Sequence, residues 1–153
     1  MKNLKEIKED EIWNERKISN LKYFILAQSE KQSKEQRIRN ELLAIQYRME
    51  DYIENTNDTE RLKIVDFVKM YLQALNVTQK KLAYLFEMKD SNLHKYLTGE
   101  RRLNKSLVLK LSSFSHTKPE YWLRVEVKNE LIEISKEKEK EYQKYDYRNL
   151  MTK

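Results

Sequence analysis

Cysteine is absent from these 153 residues, and glycine and proline occur once each, as Gly99 and Pro119. Without thiols there is no disulfide framework, no thiolate nucleophile and no sulfur-ligated metal, which suits a reducing compartment. One Gly and one Pro leave almost no material for the repeated tight turns of a β-protein. Histidine is nearly lacking too. His94 and His116 are too few and too poorly supported by neighbouring acids for a metal site, so they read as surface side chains, and neither a metal nor a cofactor is expected. Long apolar runs are missing: the opening MKNLKEIKEDEIW alternates charge where a signal peptide has an apolar core, and nothing approaches a membrane span. A cytoplasmic chain that avoids membranes is the expectation. No Gly-rich phosphate loop, nucleophile elbow or Ser-His-acid arrangement appears, and carboxylates such as Glu9-Asp10-Glu11 alternate with lysines as solubilising charge, so an enzyme is not expected.

What the chain does have is charge, 37% of residues against 39% hydrophobic, with a mean hydropathy of −0.92. The apolar residues must therefore be gathered into narrow faces covered by long charged side chains, and an all-α fold follows. The formal net charge is +6, and the segment 76–118, with nine bases against Glu87, Asp90 and Glu100, carries all of it. A local basic patch points to a polyanionic partner. A pair such as Lys80-Lys81 on its own would read as a solvated face.

Along the chain, Ile12, Trp13, Ile18, Leu21, Phe24 and Ile25 predict a helix over 9–28. QSEKQSKEQ breaks the pattern, and Ile38, Leu42, Ile45, Met49, Tyr52 and Ile53 predict a second helix. ENTNDTE closes it, and Asn57 with Glu60 predicts the next helix start. This divides the chain into an N-terminal helical extension at 1–56, a main domain at 57–135 and a charged helical tail at 136–153. Within the domain Ile64, Val65, Val68, Tyr71, Leu72 and Leu75 form a stripe. Thr78 is placed to cap a short helix carrying Leu82, Ala83, Leu85 and Phe86, and a second short helix follows with Leu93, Tyr96 and Leu97 inward. Asn104 is placed to cap a helix holding Leu107, Val108 and Leu111. Thr117-Lys-Pro-Glu120 signals a last helix, capped by Thr117, with Trp122 as a core anchor.

Two short helices separated by three or four residues, with Ala83 where the second crosses closely, meet the requirements of a helix-turn-helix. Gly99 then has a role, because a helix commonly closes on a residue at positive φ, where glycine carries no Cβ penalty. That closure would present Arg101 and Arg102 beside the second helix.

From Val77 to Leu131 the sequence resembles the phage-repressor, or XRE, class of DNA-binding proteins, and within it the HigA-type antitoxins. The resemblance rests on Thr78-Gln79, Leu82-Ala83, Leu93, Leu97-x-Gly99, Arg101-Arg102, the leucines of 107–111 and Pro119-Glu-Tyr-Trp-Leu123. It implies a lambda-repressor-like five-helix domain. Two departures stand out: Glu87 occupies a turn position where the family has Gly, and Lys89 a cap position where it has Ser or Thr. Left-handed Glu87 would cost about 1 to 2 kcal/mol, so a relaxed turn capped from Asp90 or Ser91 is expected.

Resemblance and helical geometry together place Ser91, Asn92 and Lys95 on the outer face of the second helix, with Asp90 and His94 at its edges, as base readers. Gln79, Lys89, Thr98, Arg101 and Arg102 are expected on phosphates. One recognition helix reads too few bases, so a homodimer on a palindromic operator of double-stranded DNA is expected. Leu123, Val127, Leu131 and Ile134 are the candidate dimer seam, although Leu123 and Val127 would serve equally well in the monomer core. The resemblance implies an antitoxin that neutralises an mRNA-cleaving, HigB-like toxin and represses its own operon. The alternative is a stand-alone regulator with no toxin partner.

Overall fold

Gln, Glu and Lys sustain a helix even where the apolar pattern lapses, and this governs the N-terminal part of the chain. The computed structural model describes residues 4–55, 60–137 and 139–152. Its first helix, α1, runs unbroken over Leu4–Glu54. The break expected at QSEKQSKEQ is absent, because that stretch contains good helix formers and neither Gly nor Pro. Gln36 also donates to Asn40 one turn on, at 3.1 Å. The chain divides into two compact units, Met1–Glu41 and Leu42–Lys153. In the first, the side chains described from Glu15 onward are exposed except half-buried Ile38, and they include Ile18, Leu21, Phe24 and Ile25.

The second unit holds the core. Met49 and Tyr52, from the end of α1, are buried with α2 (Ile64–Leu75), α3 (Gln79–Leu85), α4 (Asp90–Leu97), α5 (Lys105–Ser115) and α6 (Pro119–Ser135). The core thus draws on residues that the sequence reading assigned to an extension. Among the described residues there is no strand, and no helix is long and apolar enough to cross a membrane. Helix α2 begins at Ile64, where the Asp66 carboxylate accepts from the Lys63 backbone N–H at 2.8 Å. The Asn57–Glu60 start signal falls largely on 57–59, outside the described residues. Past Ser135 the tail winds into 3-10 turns at Glu139–Tyr145 and Tyr147–Leu150 instead of prolonging α6. Oppositely charged residues three apart, as in Glu141 and Lys144, suit three residues per turn at least as well as 3.6.

Helices α2 and α6 pack together, α4 packs on α2 and α3, and α5 packs on α6. Trp122 and Tyr71 lie at the centre, fully buried, with ring centroids 5.9 Å apart. Their polar atoms are served locally: Trp122 Nε1 donates to Ser115 Oγ at 3.2 Å, and the Tyr71 and Thr117 hydroxyls pair at 2.9 Å. Burial raises the Tyr71 pKa above its ordinary value, against those hydroxyl contacts. Thr117 is therefore not the cap of α6. Lys118 occupies that position with no side-chain bond, and Pro119 stands in the first turn as expected.

Among the described residues four helix ends close on a left-handed residue, with φ of 54° at Asn76, 57° at Glu87, 87° at Gly99 and 53° at His116. After α2 and α3 the closure carries both bonds of the Schellman pattern: Val77 N–H to Leu72 O and Asn76 N–H to Gln73 O, then Met88 N–H to Ala83 O and Glu87 N–H to Tyr84 O. The relaxed turn expected at Glu87 is thus not what forms. Backbone bonds satisfied within the turn offset the left-handed penalty. Lys110 Nζ adds a bond to Phe86 O at 2.6 Å, placing positive charge at the end of α3. Leu85 is 65% exposed, and Leu82, Ala83 and Phe86 fill the inner face of α3.

Glu87→Gly is expected to stabilise the protein by about 0.5 to 1 kcal/mol, the left-handed penalty less the added chain entropy. Gly99→Ala is expected to cost about 1 kcal/mol through backbone conformation alone, because an added Cβ there meets nothing within 4 Å. Urea unfolding of both variants measures this, and a Glu87→Gly midpoint at or below wild type would contradict the account.

Candidate nucleic-acid interface

Thr78 caps α3 by accepting from Lys81 N–H at 3.2 Å, which fixes Gln79 as the first residue of that helix. Asp90 is the first residue of α4. Gln79 Nε2 donates to Asp90 Oδ1 at 3.0 Å, so the two helix starts are tied across the turn. Asp90 therefore serves the joint between helices. Neither it nor Ser91 caps α4, whose cap residue is Lys89 with no side-chain bond.

Leu93 and Leu97 have no exposed surface and anchor the inner side of α4, and Tyr96 is half-buried beside them. The helical repeat then turns the remaining residues outward. Ser91 and His94 are exposed, and Asn92 and Lys95 are half-buried next to them. Such a ridge offers a hydroxyl, an amide, an imidazole and an ammonium in two turns, a mixed set of donors and acceptors.

The residues expected on phosphates fare differently. Lys89 is exposed at the start of α4, and Gln79 is half-buried with its amide N–H engaged by Asp90. Thr98 turns its hydroxyl back to His94 O at 2.9 Å. Arg101 is exposed, its guanidinium carbon 5.9 Å from the centre of the Tyr96 ring. Arg102 is also exposed, but its guanidinium makes a two-point bond to Glu130 of α6, at 2.9 Å from Nε and 3.1 Å from one terminal nitrogen.

No known protein family, curated protein or solved structure matches this chain. Among the described residues no group of three His, Cys, Asp or Glu side chains is placed to hold a metal ion.

Three features escaped the sequence. Glu126 and Glu130 on α6 reach the loop that follows α4, Lys110 supports the turn before it, and an apolar concavity of about 1060 Å³ opens beside α3 between Leu75, Val77, Leu85, Met88 and Phe114. Each depends on side chains that meet only in the tertiary structure. On α6 the four proposed seam residues line one side, and all are exposed, Leu131 at 58% and Ile134 at 61%. Leu123 and Val127 therefore do not complete the core of a single chain. Trp122 and Val125 do. Arg61, before α2, bonds Glu133 of α6 and holds that carboxyl below its ordinary pKa.

A double-mutant cycle on Gln79→Ala and Asp90→Ala is expected to give a coupling of about 0.5 to 1.5 kcal/mol, the net worth of one hydrogen bond, in denaturant unfolding. Additive single-mutant losses would show that the cross-turn bond contributes nothing.

Proposed function

We propose that the chain is a sequence-specific binder of double-stranded DNA, built as a lambda-repressor-like helix-turn-helix domain and acting as a homodimeric repressor. The outward ridge of α4 carries this reading: Ser91, Asn92, His94 and Lys95 stand on one side while Leu93 and Leu97 are buried on the other. Asn matches the paired groups of adenine and Lys those of guanine in the major groove. Lys89 just before α4 and Arg101 in the loop after it are both exposed, and each would grip a phosphate beside the ridge. The local charge supports the same partner, since segment 76–118 holds the whole excess of +6.

Two-fold pairing along Leu123, Val127, Leu131 and Ile134 would give two ridges for two half-sites. Four exposed aliphatic side chains at spacings of four, four and three form the stripe that a helix-on-helix seam needs.

The resemblance to HigA-type proteins extends the proposal to an antitoxin that neutralises an mRNA-cleaving, HigB-like toxin and represses its own operon. A stand-alone regulator is the second reading, and one observation favours it. Trp122, the hallmark of Pro119-Glu-Tyr-Trp-Leu123, is wholly buried, so the motif speaks for packing and not for a toxin contact. Co-expression with the neighbouring reading frame separates the two: a stable complex with a growth-arresting neighbour selects the antitoxin, and its absence selects the regulator.

Binding to duplex DNA is measured by fluorescence anisotropy across a salt series. Arg101→Ala is expected to weaken all sequences alike and to flatten the log–log salt slope by about 0.9. Asn92→Ala is expected to lower the preference for the best site by about 1 to 3 kcal/mol and to leave that slope unchanged. An unaltered slope in Arg101→Ala, or an unaltered preference in Asn92→Ala, would reject the assignment. For the seam, Leu131→Asp with Ile134→Asp is expected to leave folded monomers in analytical ultracentrifugation, where wild type sediments as a dimer. A wild-type monomer would remove the seam.

A further inference from the structure

Helix α6 presents three sides to its surroundings. Trp122 and Val125 face the core, Leu123, Val127, Leu131 and Ile134 form the exposed stripe, and a row of carboxylates runs between them. Two members of that row, Glu126 and Glu130, sit one turn apart and both hold the segment that leaves α4. Glu126 accepts from the Leu103 backbone N–H at 2.7 Å. Glu130 takes the Arg102 guanidinium at 2.9 and 3.1 Å. Leu103 itself is buried, and Asn104 directly after it caps α5, so the loop is pinned at consecutive residues.

We infer that Glu126, Glu130 and Arg102 form a brace through which α6 sets the attitude of α4, so that Arg102 is a positioning residue and Arg101 alone of the pair grips DNA. The inference rests on the DNA-binding reading above. Geometry separates the two arginines. Arg102 has one edge of its guanidinium, Nε and a terminal nitrogen, committed to a carboxylate, which also offsets its charge locally, whereas Arg101 lies over the face of Tyr96 and among the described residues has no carboxylate on its guanidinium. A two-point arginine–carboxylate bond fixes direction as well as distance. Alone and exposed such a pair contributes little, but Glu126 binds a backbone amide of the same loop and the two anchors act together. The helix bearing the seam thereby also bears the clamp on the reading head, and the spacing between two reading heads is set by one rigid element.

The test is a charge exchange in the full-length protein, read by affinity for a pool of random-sequence duplex DNA across a salt series and by amide hydrogen exchange at Gly99–Leu103. Arg102→Glu alone is expected to speed exchange at those amides and to weaken binding. Adding Glu130→Arg is expected to restore slow exchange and wild-type affinity and slope, because the brace is rebuilt with its charges swapped. Glu126→Gln is expected to speed exchange at Leu103 without changing the slope. If Arg102 touched phosphate, the exchanged pair would place a carboxylate there, and binding would stay weak with a flatter slope. That result overturns the inference, as would exchange rates unmoved by Arg102→Glu. Should wild type fail to bind duplex DNA at all, the DNA-binding reading falls, and the brace stands or falls on the exchange rates alone.

Discussion

Leu93 and Leu97 are buried without remainder, and on a helix of eight residues that decides where every other side chain points. Two anchors one turn apart fix the rotation of α4 about its axis, and the turn before it and the loop after it fix its tilt. The turn is held by backbone bonds around left-handed Glu87 and by Lys110 on Phe86 O, the loop by Gly99 and by two carboxylates of α6. The outward ridge of Ser91, Asn92, His94 and Lys95 is thus a consequence of burial on the opposite side. Its polar side chains are exposed at Ser91 and His94 and half-buried at Asn92 and Lys95, on the side away from the two leucines.

The economy of glycine shows how the fold tolerates local cost. Among the described residues four helices end in left-handed geometry, yet only one of them uses Gly. Asn76 is the mildest of the substitutes, because its short polar side chain accepts that conformation more readily than most. Histidine is enriched in this region as well, so Glu87 is the costly member of the set and His116 a milder one. Both closures sit beside buried neighbours, Phe86 next to Glu87 and Ser115 with Thr117 around His116, and are tied by backbone bonds to the helix they end.

Much of the helical layout was legible in the sequence. Thr78 and Asn104 cap the helices they were expected to cap, Gly99 takes a positive φ, and Trp122 is the centre of the core. Local chemistry announces such features. Failures came where local chemistry is silent or outvoted. A polar stretch rich in Gln, Glu and Lys looked like a break and is helix, since amphipathicity reports burial and not helicity. Thr117 looked like a cap, but its hydroxyl is drawn into the buried pair with Tyr71. Asp90 and Arg102 looked free for DNA, yet each has a partner eleven or more residues away, Gln79 and Glu130, that no local pattern discloses. Exposure of the α6 stripe was likewise open in the sequence, because the same spacing serves a core or a seam.

The central claim is that α4 and the exposed cation after it form the face that meets duplex DNA. Backbone and side-chain NMR shifts recorded as duplex DNA is added to the full-length protein test it most directly. The account predicts the largest changes at Ser91, Asn92, His94, Lys95 and Arg101, fading toward the buried side of α4. Changes confined to α1 or to the tail, with the α4 signals unmoved at saturating DNA, would contradict it.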